Sequence, residues 1–179
     1  MGFTCDLDRR IVNDAIVRVS YLELLRPPAS IPAHVGDERI CVVKMPAEEY
    51  LDLYKRVGES VRWDQRLNMS RADLDRLLQS DLTHIYVLKD SSDQRLGFCE
   101  FECVNFPDVE LKNFGLVPAA RGRGLALWLL LTALHQEWSC QPKRIWLHTD
   151  NWDHPAAVYT YQKAGFRQYM VRNEPARDL

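Results

Sequence analysis

Paired cysteines are missing from this chain. Its five, Cys5, Cys41, Cys99, Cys103 and Cys140, are an odd number with no C-x-x-C spacing. That excludes a disulfide scaffold and predicts free thiols in a reducing cytosol. Charge of one sign is missing too. Against 25 acids stand 23 lysines and arginines, a net charge of −2, which gives no electrostatic case for nucleic acid or an anionic membrane. Long hydrophobic runs are absent: the longest, Leu125 to Leu134, is broken by Thr132 and is too short to span a bilayer. The N-terminus, MGFTCDLDRR, lacks the basic-then-apolar order of a secretory signal. Neither a G-x-S-x-G nucleophile elbow nor a G-x-x-x-x-G-K-[ST] P-loop is present.

What remains is 179 residues, 46% hydrophobic and 27% charged. A chain of that size buries enough surface to fold as one domain without a metal or disulfide staple. Residues 1–179 are read as that single domain, with an N-terminal strand extension over about 1–36. Strand-like runs cover Ala15–Leu25, Arg39–Lys44, His84–Lys89, Leu96–Val104, Val109–Val117, Arg144–Thr149 and Phe166–Val171. Pro46 opens a helix whose stripe is Tyr50, Leu53, Tyr54 and Val57, with Gly58 as its stop. Ser70 begins another, in a capping-box-like S-R-A-D. Gly124–Trp138 is helical and apolar almost all round, and Pro155–Ala164 is a helix ended by Gly165. This order predicts an α/β protein with a mixed sheet of six or seven strands and helices packed on it.

The informative stretch is Val109 to Ala126, VELKNFGLVPAARGRGLA. A strand runs through Pro118 into a glycine turn and straight into a helix. Glycines let the backbone approach a ligand closely, and a helix N-terminus offers unpaired N–H groups, so this is a candidate diphosphate cradle. Arg121 and Arg123 add charge that could reach phosphate oxygens. The Rossmann fingerprint fails for want of a third glycine, whereas [QR]-x-x-G-x-[GA] fits at Arg121, Gly124 and Ala126. On that motif alone, a plain glycine turn before a core helix is an equal reading.

A second segment, Arg144 to Phe166 (RIWLHTDNWDHPAAVYTYQKAGF), changes the balance. Together the two resemble the GNAT superfamily of acyl-CoA N-acyltransferases. The phosphate loop corresponds to Arg121–Ala126. The late A-x-x-x-Y-x-[KR]-x-G-F helix corresponds to Ala157, Tyr161, Lys163, Gly165 and Phe166. A closer similarity is to a bacterial acetyltransferase subgroup, carried by Gly115-Leu116-Val117-Pro118, Gly122-Arg123-Gly124-Leu125, Trp128-Leu129-Leu130, His148-Thr149 and Asp153-His154-Pro155-Ala156-Ala157.

The resemblance implies a GNAT-like, mostly antiparallel sheet with a V-shaped splay between two parallel strands, flanked by about four helices. It implies acetyl-CoA in the wedge between Val109–Val117 and Arg144–Thr149. Backbone groups of Phe114, Leu116 and Val117 would pair with the pantetheine arm, and the Phe114 amide would donate to the acetyl oxygen. Amides of Gly122, Arg123, Gly124, Leu125 and Ala126 would hold the diphosphate. Tyr161 would be the general acid toward the leaving sulfur, its other reading being a packed aromatic. Glu110, eleven residues before Arg121, is the candidate base, with a water relay or a plain solvent-facing glutamate as alternatives. Alternation puts Glu110, Lys112, Phe114 and Leu116 on one face, and a Lys112 partner would hold Glu110 charged and weaken it as a base.

His154 stands where the family often has asparagine. It is read as a cofactor contact or a proton shuttle, or else it or Asp153 caps the helix. Asn151 is a nearby substitute amide. His148, Asp150, Asp153 and His154 lack metal-site spacing, so no metal is expected. Cys99 and Cys103 find no assignable histidine partner for a nucleophile. Trp63 and Asp64 are candidates to receive a cationic amine, a docked tryptophan being the other reading. A short C-terminus after the last strand leaves the acceptor cleft open or completed by another subunit in a homodimer. The expected activity is acetyl transfer to a small-molecule or peptide amine. The alternative is a non-catalytic acyl-CoA sensor.

Overall fold

The computed structural model describes residues 16–61 and 63–175. Cys5, the first residues of the predicted N-terminal extension and Arg62 lie outside them. In chain order the elements are β1 (Ile16–Leu24), β2 (Arg39–Val43), α1 (Ala47–Gly58), α2 (Arg71–Gln79), β3 (Thr83–Lys89), β4 (Arg95–Glu102) and β5 (Asp108–Leu116). A short 3-10 turn (Pro118–Ala120) leads to α3 (Leu125–Trp138), β6 (Arg144–Asp150), α4 (Ala157–Lys163) and β7 (Arg167–Pro175). The seven strands form one sheet in the order β2-β3-β4-β5-β6-β1-β7. Every neighbour is antiparallel except β5 and β6.

The predicted elements form where their signals lie. The α1 stripe Tyr50, Leu53, Tyr54 and Val57 is buried, and Ser70 accepts the Asp73 amide at the start of α2. α4 starts later than Pro155. The His154 ring accepts the Ala156 amide at 3.2 Å and its carbonyl takes the Ala157 amide, which makes a turn there instead of a first helical residue.

Cross-strand partners share a face, so pairing sorts the two layers. Phe98 and Glu100 meet Tyr50 and Tyr54 of α1. Cys99, Phe101 and Tyr86 face the opposite way, where Tyr86 bonds Glu137 of α3. α3 is buried on most of its circumference, as its composition predicts.

Two features of the sheet depart from expectation. β5 carries a bulge at Lys112: Asn113 pairs with Glu100, and Leu111 with Phe101. A bulge adds one residue and reverses the parity beyond it. Glu110 therefore shares a face with Asn113, while Phe114 and Leu116 face the α3 side, not the Glu110 side as simple alternation had it.

The second departure concerns the end of the chain. No hairpin strand follows β7 among the described residues. Instead β1 fills the place between β6 and β7, paired antiparallel with both, from Val19↔Asp150 to Leu24↔Ile145 and from Ile16↔Pro175 to Glu23↔Arg167. The N-terminal strand is thus an interior strand of the sheet, and β7 is its edge.

Candidate functional site

The parallel pair β5–β6 holds for only three positions, Asp108↔Arg144, Val109↔Ile145 and Glu110↔Trp146. Beyond them the strands diverge, and β5 from Leu111 to Leu116 has no strand partner on its β6 side among the described residues. The wedge opens into a cavity of about 370 Å³, within the size range of small-molecule sites.

At one end of the cavity stand Gly122 (φ +75°) and Gly124 (φ +76°). A Cβ at either would meet nothing within 4 Å, so what requires glycine here is the left-handed backbone and not a lack of room. Gly124 is the N-cap of α3 and supplies no side-chain acceptor. The first N–H groups of the helix are left for a ligand, with the positive end of its dipole behind them. Backbone of this kind suits a diphosphate, and the residues fit the cradle the sequence predicts.

The two arginines beside it differ. Arg121 is already engaged: Nε donates to Leu116 O (3.1 Å), one terminal nitrogen to Val57 O (3.0 Å) and the other to Ser60 Oγ (2.9 Å). It clamps the end of α1 to the end of β5 and leaves little of its fork for phosphate. Arg123 is half exposed and pairs with Glu38, whose other oxygen holds His34 at 2.9 Å. The His34 ring stacks on Trp128 at 3.9 Å, so the segment after β1 is clasped over α3.

Tyr161 reaches the cavity from α4 with its ring fixed by Phe114 (5.8 Å between centroids) and Phe166 (6.0 Å). Its hydroxyl has no hydrogen-bond partner among the described residues. Burial, then the nearby Asp153 and Cys99, hold the phenol well above its ordinary value, so it stays protonated. Of the other predicted cofactor contacts, Phe114, Leu116, Arg121, Gly122, Gly124, Ala126 and His154 line the cavity. Val117 and Leu125 are packed in the core, and Arg123 turns to Glu38.

Glu110 does not line the cavity. Its Oε1 accepts from Lys112 Nζ at 3.1 Å and lies 3.7 Å from His148 Nε2, and it is His148 that faces the cavity. Burial first, and then the Lys112 charge, lower the His148 pKa and favour a neutral ring, against the pull of Glu110, Asp153 and Asp150. In the sequence His148 entered as part of the His148-Thr149 motif and as a metal candidate, not as a base. Its alternation with Trp146 on β6 was the signal that could have placed it beside Glu110.

One wall of the cavity comes from the α1–α2 connection. Trp63 packs on Tyr54 (5.2 Å) and Phe98 (6.1 Å), the docked reading, while also lining the cavity. Its Nε1 lies 3.5 Å from Asp153 Oδ1. Asp153 Oδ2 accepts from Thr149 Oγ1 at 2.7 Å, so Asp153 ties the β6–α4 loop down and does not cap α4. Asn151 accepts from the Arg18 amide of β1 and lies outside the cavity lining. The loop histidines and aspartates form no convergent metal set among the described residues.

Residues 81–168 match the acetyltransferase (GNAT) domain family. A GCN5-related N-acetyltransferase from Sphaerobacter thermophilus superposes with a TM-score of 0.62 at 17% identity, over 93% of this chain and 53% of its own. The ribosomal-protein-S18-alanine N-acetyltransferase from Escherichia coli gives 0.59 at 16%, over 74% and 79%. An aminoglycoside N-acetyltransferase solved with CoA gives 0.55 at 18%, over 78% and 94%. The chain spans little more than half the length of the Sphaerobacter protein, and at these identities the likeness is one of fold. No curated protein matches the chain significantly. No helix among the described residues is long and apolar enough to cross a membrane. The matched segment, which holds the splayed parallel pair and the glycine-turned helix entrance, is a GNAT acetyltransferase domain over residues 81–168.

Proposed function

We propose that this protein transfers acetyl from acetyl-CoA to an amine by direct attack within a ternary complex. One observation carries the reading. The uncapped N-terminus of α3, the unpaired edge of β5 and the Tyr161 hydroxyl all open on one cavity. Bound acetyl-CoA supplies the carbonyl to be attacked and the thiolate that leaves. The chain's own residues do the rest. Amides from Gly122 to Ala126 hold the diphosphate, and the edge of β5 from Phe114 to Val117 aligns the arm as an added strand would. The Phe114 amide donates to the acetyl oxygen. His148, neutral and backed by Glu110, takes the amine proton, and Tyr161 O–H gives a proton to the sulfur. Trp63 and the β6–α4 loop close the acceptor end.

Acetyl-CoA at about 100 times its Kd should raise the stability of the native protein by about 2.7 kcal/mol. Thermal unfolding reads this. The informative variant is Ala126→Glu, because Ala126 lines the cavity in the first turn of α3. A carboxylate there suits the helix dipole, so the variant should fold as well as the parent. It should repel the diphosphate and abolish the shift. Absence of any shift in folded wild type would remove the cofactor assignment and the roles of Tyr161 and His148 with it.

The His148 ring gives a second check. Titrated by NMR, its midpoint should fall below 6.5, the ordinary value from which burial and Lys112 lower it. Lys112→Met should move the midpoint upward. The sign for stability follows. Below pH 6.5 the unfolded chain takes up a proton that the folded ring resists, so this site costs stability as pH falls and none above it. A midpoint above 6.5 would mean that Glu110 governs the ring, and the neutral base would be lost.

A further inference from the structure

A second cluster of reactive side chains lies away from the cavity, on the α3 face of the sheet. His84 is near the start of β3, Cys103 follows the end of β4, and Glu137 is in the last turn of α3. The Cys103 amide donates to Leu82 O at 2.8 Å, which brings the exit of β4 beside the entry of β3. Glu137 is 1% exposed, Cys103 8% and His84 28% by side chain or residue. One atom of each converges. His84 Nδ1 lies 2.8 Å from Glu137 Oε1 and 3.8 Å from Cys103 Sγ, and that sulfur lies 4.0 Å from Glu137 Oε2.

This is not the layout of a nucleophilic relay. A thiol–imidazole–acid relay places the thiol on one ring nitrogen and the acid on the other. Here both face Nδ1. Nε2 points away, 3.1 Å from Asp81 O, and must carry a hydrogen because a carbonyl only accepts. Tyr86 O–H donates to Glu137 Oε1 at 2.6 Å. The imidazole and the carboxylate are each oriented from behind by an outer partner, and Nδ1, Sγ and the Glu137 carboxylate face one another around a common point. That is how metal-ligating histidines and carboxylates are held.

The spacing fits one ion. Tetrahedral zinc, with bonds of about 2.0 Å to N and O and about 2.3 Å to S, has ligand–ligand edges of about 3.3 and 3.5 Å. With one oxygen taken from Glu137, the three ligand atoms all lie within 4.8 Å of one another, and side-chain rotation draws them in to those edges. The charges also balance. A thiolate and a carboxylate neutralise a dication, and the imidazole binds neutral, so the Nδ1 proton it shares with Glu137 in the free protein leaves to solvent together with the Cys103 proton. Thiolate with imidazole selects zinc over magnesium or calcium.

We propose that His84, Cys103 and Glu137 bind a zinc ion, with water in the fourth position at the exposed edge of His84. The ion staples β3, β4 and the C-terminal turn of α3, the helix whose other end forms the cradle. Its place at the far end of α3 assigns it a structural task, independent of acetyl transfer.

The test uses the full chain, freed of metal by a chelator and then titrated with Zn2+ or Co2+. Wild type should take up one ion per chain and melt higher with zinc. With cobalt it should show a thiolate-to-metal charge-transfer band and the visible bands of a four-coordinate site. Cys103→Ser and Glu137→Gln, checked for native circular dichroism, should lose the uptake, and Cys41→Ser on β2 should keep it. Folded wild type with neither the cobalt bands nor a zinc-dependent rise in Tm would overturn the site. So would a charge-transfer band that survives Cys103→Ser.

Discussion

Tyr161→Phe should cut kcat about 100-fold while acetyl-CoA affinity stays within about 2-fold. General acids contribute roughly 10²–10⁴ in rate, and most when their pKa is matched to the working pH. Burial lifts this phenol far from that match, which puts the expectation at the low end. Removing one oxygen should not disturb the fold. The hydroxyl has no hydrogen-bond partner among the described residues, and the ring contacts with Phe114 and Phe166 remain. Stability should therefore hold within about 0.5 kcal/mol, as for substitutions that lose no buried partner. Steady-state kinetics with a competent amine and calorimetric CoA binding read the two halves separately. An unchanged kcat would make Tyr161 a packing residue. A loss of affinity equal to the loss of rate would mean that the ring, not the proton, matters. Tight binding without turnover on any amine in wild type would favour a sensor.

The glycine turn into α3 and the late helix carrying Tyr161 were legible because each is a contiguous motif with residues at fixed spacing. Strand and helix limits were legible to within a few residues, since Pro46, Ser70, Gly58 and Gly165 punctuate them locally. What depends on distant partners was not. The bulge at Lys112 is set by β4, and it undid the alternation that had placed Glu110 with Phe114. Arg121 read as a phosphate ligand because its motif says so. Its real partners, Val57 O and Ser60, are about sixty residues earlier in the chain. β1 is an ordinary apolar strand by composition, and nothing local tells that it belongs between β6 and β7. Cys103 found no histidine in the sequence because His84 joins it only through the β3–β4 pairing and α3.

Glu100→Ala should be the most damaging single change outside the cavity, costing about 3–5 kcal/mol. Glu100 is fully buried and accepts from Arg66, from Tyr50 O–H and from Asn113 Nδ2, the last at 2.9 Å. Arg66 is itself buried, and its charge survives because Glu100, with help from Glu102, outweighs the cost of burial. Its Nε has no partner among the described residues, so the cation depends on the two carboxylates. Taking away one member of a buried pair strands the other, which is far worse than replacing both by apolar groups. A native domain holds only about 5–15 kcal/mol in all. At about 2–4 °C per kcal/mol for a chain of this size, Tm should fall by roughly 6–20 °C. Combining Glu100→Leu with Arg66→Met should recover much of the loss. The network anchors the α1–α2 connection, which carries Trp63 in the cavity wall, at the end where the proposed function puts the amine. Glu100→Gln, which keeps an acceptor for Tyr50, should fold and raise KM for the amine more than for acetyl-CoA, whose cradle lies on the other layer. A Glu100→Ala protein that loses under about 1 kcal/mol by urea unfolding would show that water replaces the carboxylate, and the network would then be an exposed one in effect.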